Sequence, residues 1–130
     1  AAALTSTAAA AGTITVIAEN DLTTGAVTAN GAADGDNAGA VSITAGDNYN
    51  LGGSISAVGT GAGNGAEIKL NPGRTTIDAG ITATLDSRGT VNGVISITGA
   101  IDGDGTTADT ENLTLIANQA MVQHVSMAPW

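Results

Sequence analysis

The sequence contains no cysteine and no phenylalanine, and it has only one tryptophan, one tyrosine and two prolines in 130 residues. The missing cysteines exclude disulfides, thiolate nucleophiles and thiolate metal sites. A compact domain of this size normally fills its core with aromatic side chains. Here the core has to be packed from alanine, valine, isoleucine and leucine. This favours a thin, elongated core over a round one.

Positive charge is also scarce, because three Lys and Arg residues stand against twelve Asp and Glu residues, for a formal net charge of −9. Lys69, Arg74 and Arg88 do not form the basic cluster that phosphate recognition needs. No apolar run is long enough to span a bilayer. The sequence therefore predicts no nucleic-acid partner and no membrane span.

A repeat of about 27 residues runs through the chain, within the range typical of stacked repeat architectures. Two rows of apolar residues recur at this spacing: Ile14, Val41, Ile68 and Ile95 in the first row, and Val16, Ile43, Leu70 and Ile97 in the second. One polar residue separates the two rows in each repeat, which is the inward–outward alternation of a half-buried strand. Val122 continues the first row, one further repeat after Ile95.

A second strand is predicted in each repeat. Its members are Val27-Thr28-Ala29, Ile55-Ser56-Ala57, Ile81-Thr82-Ala83 and Leu113-Thr114-Leu115, with small alanines that let two sheets approach. Turn residues such as Asn30-Gly31 and Asn64-Gly65 separate the strands. If the repeats stack, Thr, Ser and Asn at equivalent positions can form rows of hydrogen bonds.

The predicted fold is all-β, a parallel β-solenoid with coils of about 27 residues. The alternative is an antiparallel β-sandwich, because Asn-Gly is also a hairpin signal. The constant spacing favours the solenoid, in which each coil must climb by one strand. We expect a single solenoid domain over residues 1–130, with 1–11 as an N-terminal edge or cap, 12–116 as four coils, and 117–130 as an irregular C-terminal cap or contact segment.

The segments Gly39-Ala40-Val41-Ser42-Ile43-Thr44-Ala45-Gly46-Asp47 and Leu51-Gly52-Gly53-Ser54-Ile55-Ser56-Ala57 resemble repeats of secreted bacterial surface proteins. These are the filamentous-haemagglutinin-like and autotransporter-passenger-like adhesins. The resemblance implies a right-handed β-helix located outside the cell or on the bacterial surface. It also implies adhesion, biofilm or filament formation, with a host or matrix ligand. It assigns no catalytic residue.

Aspartates in two glycine-rich runs are candidate calcium ligands, because calcium binds several oxygens offered by a flexible turn. They are Asp34, Asp36, Asp102, Asp104 and Asp109. Neither run completes an EF-hand, and Asp and Gly are also ordinary turn residues. The sequence predicts no obligatory cofactor, with calcium as the one candidate. Asp34/Asp36 and Asp102/Asp104 are also formal carboxylate pairs for sugar cleavage.

The C-terminal tail differs in composition and is a candidate contact for identical copies or for flanking repeats of the same protein. The predicted contact residues are Met121, Val122, Val125, Met127 and Trp130. We expect a structural or adhesive protein, either a subunit of a self-assembling filament or a segment of a long adhesin, and not an enzyme. The alternative is a carbohydrate-binding or carbohydrate-cleaving β-helix, which would need aromatic platforms that this sequence lacks.

Overall fold

The computed structural model describes residues 3–91, 93–103 and 111–117, and the backbone of 122–123 and 126–127. The regular structure in these residues is all β-strand, as expected where Val, Ile and Thr alternate with polar residues. The strands are β1 Leu4–Thr5, β2 Ile14–Ala18, β3 Leu22–Thr24, β4 Val27–Thr28, β5 Val41–Leu51, β6 Ile55–Ser56, β7 Ile68–Ile77, β8 Thr82–Asp86, β9 Ile95–Ile97, β10 Ala100–Gly103, β11 Asn112–Ile116, β12 Val122–Gln123 and β13 Ser126–Met127.

The strand segments form three stacks in which each segment pairs with the equivalent segment of the next coil. Stack 1 contains β2, the first half of β5, the first half of β7, β9 and β12. Stack 2 contains β3, the second halves of β5 and β7, β10 and β13. Stack 3 contains β1, β4, β6, β8 and β11. Every pairing is parallel, so the fold is a parallel β-solenoid of about four turns. The antiparallel sandwich is excluded.

Stack 1 confirms the rows predicted from the repeat. Ile14 lies beside Val41, Val41 beside Ile68, and Ile68 beside Ile95. The second row also stacks in register, and Val122 follows Ile95 as its spacing predicts. Val41, Ile43, Ile68, Leu70, Ile95 and Ile97 are at most 1% exposed. Full burial of one such side chain stabilises the folded state by about 1.5–3 kcal/mol. These six residues therefore contribute a large part of the stability that the core provides.

Stack 3 departs from the predicted alignment. Ile55 lies beside Leu85, not beside Ile81, and Leu115 follows Leu85 in the same row. The predicted alignment of Ile81-Thr82-Ala83 with Ile55-Ser56-Ala57 is therefore wrong, because Leu85 takes the place given to Ile81. The reason is a turn after β7, closed by the Ile81 N–H donating to the Asp78 carbonyl at 3.1 Å, which lengthens this coil.

This shift changes which residues occupy the small-residue row on stack 3. Backbone hydrogen bonds from Ala29 to Ser56, from Ala57 to Asp86 and from Ser87 to Ile116 continue the register. Ser87 therefore takes the place predicted for Ala83. It is 0% exposed, and its hydroxyl has no hydrogen-bond partner among the described residues.

Stack 2 is a third strand position that the repeat pattern did not predict. Its inward row is Leu22, Tyr49, Thr75 and Ile101. The spacing along this row shortens by one position after Tyr49, because the register shifts between Ala45 and Asn48 of β5. Tyr49 and Thr75 interrupt this row of aliphatic residues. The repeat of branched apolar side chains therefore does not reveal this strand position.

The segments between stack 3 and stack 1 form lobes, residues 30–38 and 58–65 in the second and third coils. The lobes close where the Gly39 N–H donates to the Ala29 carbonyl at 2.9 Å and the Ala66 N–H to the Ala57 carbonyl at 3.1 Å. A row of asparagines joins successive lobes. The Asn64 N–H donates to Asn37 Oδ1 at 2.8 Å, and the Val91 N–H donates to Asn64 Oδ1 at 3.1 Å. This confirms the predicted stacking of polar side chains.

Candidate functional site

Asp34 and Asp36 lie in the lobe of the second coil and bind backbone N–H groups. Asp36 Oδ2 accepts from the Ala33 N–H at 2.7 Å, which closes its own turn. Asp34 Oδ1 accepts from the Ala62 N–H at 2.9 Å, which joins this lobe to the lobe of the third coil. Both carboxylates therefore have a structural task in this region, the task expected of aspartates in turns.

Asp102 lies on β10, in stack 2, where its Oδ2 is 3.0 Å from Arg74 Nε. The Asp102 side chain is 13% exposed and the Arg74 side chain 61% exposed. A pair at such a surface contributes at most about 1 kcal/mol. The pair nevertheless aligns two coils, because Arg74 belongs to β7 and Asp102 to the next strand of the stack.

The structure places the calcium candidates in different elements, with Asp34 and Asp36 in a lobe and Asp102 on a strand. In the described residues, no group of three or more His, Cys, Asp or Glu side chains could hold a metal ion. Asp104 and Asp109 lie outside these residues. Calcium binding stays a prediction.

An open depression of about 330 Å³ lies beside the lobes, lined by Val58, Gly59, Gly61, Arg88, Gly89 and Thr90. Arg88 is its charged residue, and its Nε and Nη2 donate to the two Asp86 carboxylate oxygens at 2.9 and 2.6 Å. This contact raises the pKa of Arg88 and compensates its charge. The lining residues offer hydrogen-bonding groups, and they include no carboxylate, histidine or aromatic side chain.

A different candidate is the first rung of the solenoid, which we define as β1, β2 and β3. Leu4, Ile14 and Leu22 on this rung are only partly buried, although they pack against the core. The residues stacked on them are 0% exposed, namely Val27, Val41 and Tyr49. The first rung therefore presents the apolar core at the end of the solenoid.

The backbone of the first rung is open on one side. Within the described part of the chain, β1 pairs only with β4, and β2 and β3 pair only with β5. The Ile14 N–H donates to the Ala40 carbonyl of the next coil at 2.9 Å. Alternate residues of a strand direct their backbone groups to opposite neighbours. The N–H and C=O of Thr15 therefore point toward the open side, where a further strand can pair.

The last rung consists of β11, β12 and β13, which pair with β8, β9 and β10. Two of the predicted contact residues lie on strands of this rung: Val122 on β12, beside Ile95, and Met127 on β13, beside Ile101. Met121, Val125 and Trp130 lie outside the described residues. The role of all five as contacts stays a prediction.

Comparison of the chain with protein-family models, with curated proteins and with solved structures finds no match. The solenoid therefore rests on the strand pairing itself. The described residues include no helix with the length and hydrophobicity needed to cross a membrane.

Sequence reasoning missed two residues of the first rung. Leu4 lies beside Val27, which follows it by less than one full repeat, so Leu4 falls outside the regular spacing. Leu22 does precede its neighbour Tyr49 by one full repeat, and this was the available signal. The change from an aliphatic to an aromatic side chain obscured it.

Proposed function

We propose that this chain is a structural and adhesive component of an extracellular bacterial surface. In this proposal it serves as a subunit of a self-assembling filament or as a segment of a long adhesin. The observation that carries the proposal is the open first rung, where partly buried Leu4, Ile14 and Leu22 stand above fully buried partners. A solenoid gains stability with each added coil because every new rung buries the one before it.

The outward side chains support a surface role. On stack 1, Thr15, Ser42, Lys69 and Ser96 lie in register at the outward positions between the two apolar rows. Such a row repeats at the strand spacing of about 4.8 Å. It presents hydroxyl groups and a cation at regular intervals, a pattern suited to an extended polar ligand such as a matrix polysaccharide.

The chemistry of the carboxylates also favours a structural role over sugar cleavage. A glycosidase needs two carboxyl groups that flank the scissile bond across a groove. Asp34 and Asp36 instead accept hydrogen bonds from backbone N–H groups in the lobes. Asp102 is paired with Arg74.

Negative-stain electron microscopy of the full chain, with and without residues 117–130, tests the filament form of this proposal. We expect filaments from the full chain and their loss on truncation. Binding of bead-displayed chain to extracellular matrix tests the adhesin form, with unrelated soluble protein on beads as control. Discrete particles that also fail to bind matrix would contradict the proposed function.

A further inference from the structure

The strands of the first and last rungs follow the same order of stacks, so the winding of the last rung can continue into a first rung. Each coil passes through stack 3, then stack 1, then stack 2. The first described strand, β1, lies in stack 3, and the last, β13, lies in stack 2. The next strand in this winding order belongs to stack 3, where β1 lies. When the first rung of one copy is placed against the last rung of another, each stack can therefore continue into the same stack of the second copy.

The register positions at the two ends are also alike in residue type. The inward row of stack 3 runs from Leu4 to Leu115. In stack 1 the backbone register that begins at Ile14 ends at Val122, and in stack 2 the register that begins at Leu22 ends at Met127. Joining two copies end to end would place an apolar residue next to an apolar residue in all three stacks. This is the same rule by which the internal coils stack.

The strands of both end rungs contain no charged residue. All the charged side chains, three basic and twelve acidic, fall between Glu19 and Glu111. Residues 1–18 and 112–130 contain no Asp, Glu, Lys or Arg. Glu19 and Asp21 lie in the turn between β2 and β3, and Glu111 directly precedes β11, so these acidic residues lie beside the end strands and not on them. Pairing of the end strands therefore brings no two charged side chains face to face.

The edge strands of the first rung also lack the usual protection against pairing. Natural proteins block such edges with lysine, proline or bulges. β1, β2 and β3 contain no proline and no charged residue. They retain the β-branched and leucine residues that favour a parallel partner.

We propose that the partner of the first rung is the last rung of a second copy, joined head to tail as in-register parallel strands. Thr15 of one copy then lies beside Gln123 of the next, as Ser96 lies beside Gln123 within a copy. Such a heterologous contact does not close on itself, and it generates a filament. This inference rests on the filament form of the proposed function and specifies its interface.

Single-cysteine variants test the register, because the chain has no native cysteine. Thr15→Cys and Gln123→Cys proteins are mixed under mild oxidation and analysed by mass spectrometry. The expected product is the 15–123 disulfide, since neighbouring strands at about 4.8 Å fall within the Cα separation that disulfides span. The matched control replaces Gln123→Cys with Thr114→Cys, which lies on stack 3 and should give no disulfide with Thr15→Cys.

A backbone variant tests whether the open edge makes the contact. Thr15→Pro removes an N–H that points to the open side, so no hydrogen bond among the described residues is lost, and the ring blocks a further strand. We expect end-to-end association to weaken about tenfold or more, with an unchanged circular dichroism spectrum and midpoint of unfolding. Thr15→Val keeps the N–H and should assemble like the parent chain.

The outcomes separate this interface from the proposed function. Filaments that form without the 15–123 disulfide, or that persist in folded Thr15→Pro, would overturn the head-to-tail register and leave a self-assembling subunit. Prevalent 15–15 disulfides would also overturn it, in favour of a two-fold contact between first rungs. Monomers that bind matrix would overturn the interface and retain the adhesin.

Discussion

At the scale of single residues, Tyr49 is the side chain with the clearest chemical signature. It is the only tyrosine, and it is 0% exposed in the inward row of stack 2. Its hydroxyl lies 2.6 Å from the Thr24 hydroxyl. Burial raises the pKa of Tyr49 to about 12, because the phenolate would lose its hydration, and the hydrogen bond to Thr24 acts in the opposite direction.

The raised pKa predicts a loss of stability in strong alkali. Because the folded-state pKa, about 12, exceeds the ordinary value of 10.0, the protonated form stabilises the fold. This contribution is fully present below pH 10 and is lost as the pH rises through about 12, by about 2–3 kcal/mol in total. Denaturant unfolding at several alkaline pH values, with tyrosinate absorbance as a second readout, measures it.

The control for this prediction is Tyr49→Phe, which keeps the ring but cannot ionise. Its stability should fall less steeply across the same alkaline range, because this residue no longer ionises. At neutral pH it should be about 1 kcal/mol less stable, because the Thr24 hydroxyl loses its partner. Equal alkaline slopes for the two proteins would contradict the assignment.

At the scale of elements, the lobes of successive coils lie in close backbone contact. Gly63 illustrates this, since a Cβ at this position would meet the backbone carbonyl of Asp36 in the preceding coil. Asp36 also accepts a hydrogen bond there from the Thr60 N–H at 3.1 Å. The carbonyl therefore cannot move away freely.

We predict that Gly63→Ala lowers the free energy of unfolding by about 2–3 kcal/mol, because the backbone has to shift to relieve the overlap. The matched control is Gly80→Ala, where φ is +67° and no atom lies near the added methyl group. That substitution should lower stability by only about 1 kcal/mol, from backbone strain. Thermal and denaturant unfolding give both values. The reverse order would show that coil contact does not limit this position.

Elements also show which parts of the fold are predictable. Stack 1 was predicted residue by residue because its spacing is constant and its residues are of one chemical type. Stack 3 was predicted as a strand but misaligned, because loops before it differ in length. A loop on the surface can take an extra turn at Asp78–Gly80 without disturbing the core, so its length carries little information about the register.

At the scale of the whole molecule, the charge distribution predicts how assemblies respond to salt. The strands of the end rungs contain no charged residue, whereas the chain has a net charge of −9. As salt rises to about 1 M, the Debye length falls to about 3 Å, which screens the repulsion between the sides of neighbouring copies. We expect filament length to change little while sideways bundling increases. Electron microscopy across a salt series measures both. Filaments that shorten with salt would indicate that ion pairs join the copies.

In the candidate sites, too, the residues themselves could be recognised from the local sequence, whereas their partners in the fold could not. Asp34, Asp36 and Asp102 were recognisable as turn or ligand residues from their neighbours in sequence. The partners of Asp34 and Asp102 were not, because Ala62 and Arg74 each lie a full coil away along the chain. The open edge at Thr15 also depends on which strand pairs with which.

The repeat length and the inward rows of stack 1 could be predicted from the sequence, and they favoured the solenoid over the antiparallel sandwich. These follow from a local alternation repeated at a constant interval, which is visible without coordinates. The parallel pairing, the register of stack 3, the existence of stack 2 and the matching strand order of the end rungs are visible only in the folded chain. The physical reason is that register depends on the accumulated length of every loop between strands, whereas each loop is free to vary as long as the buried rows remain in contact.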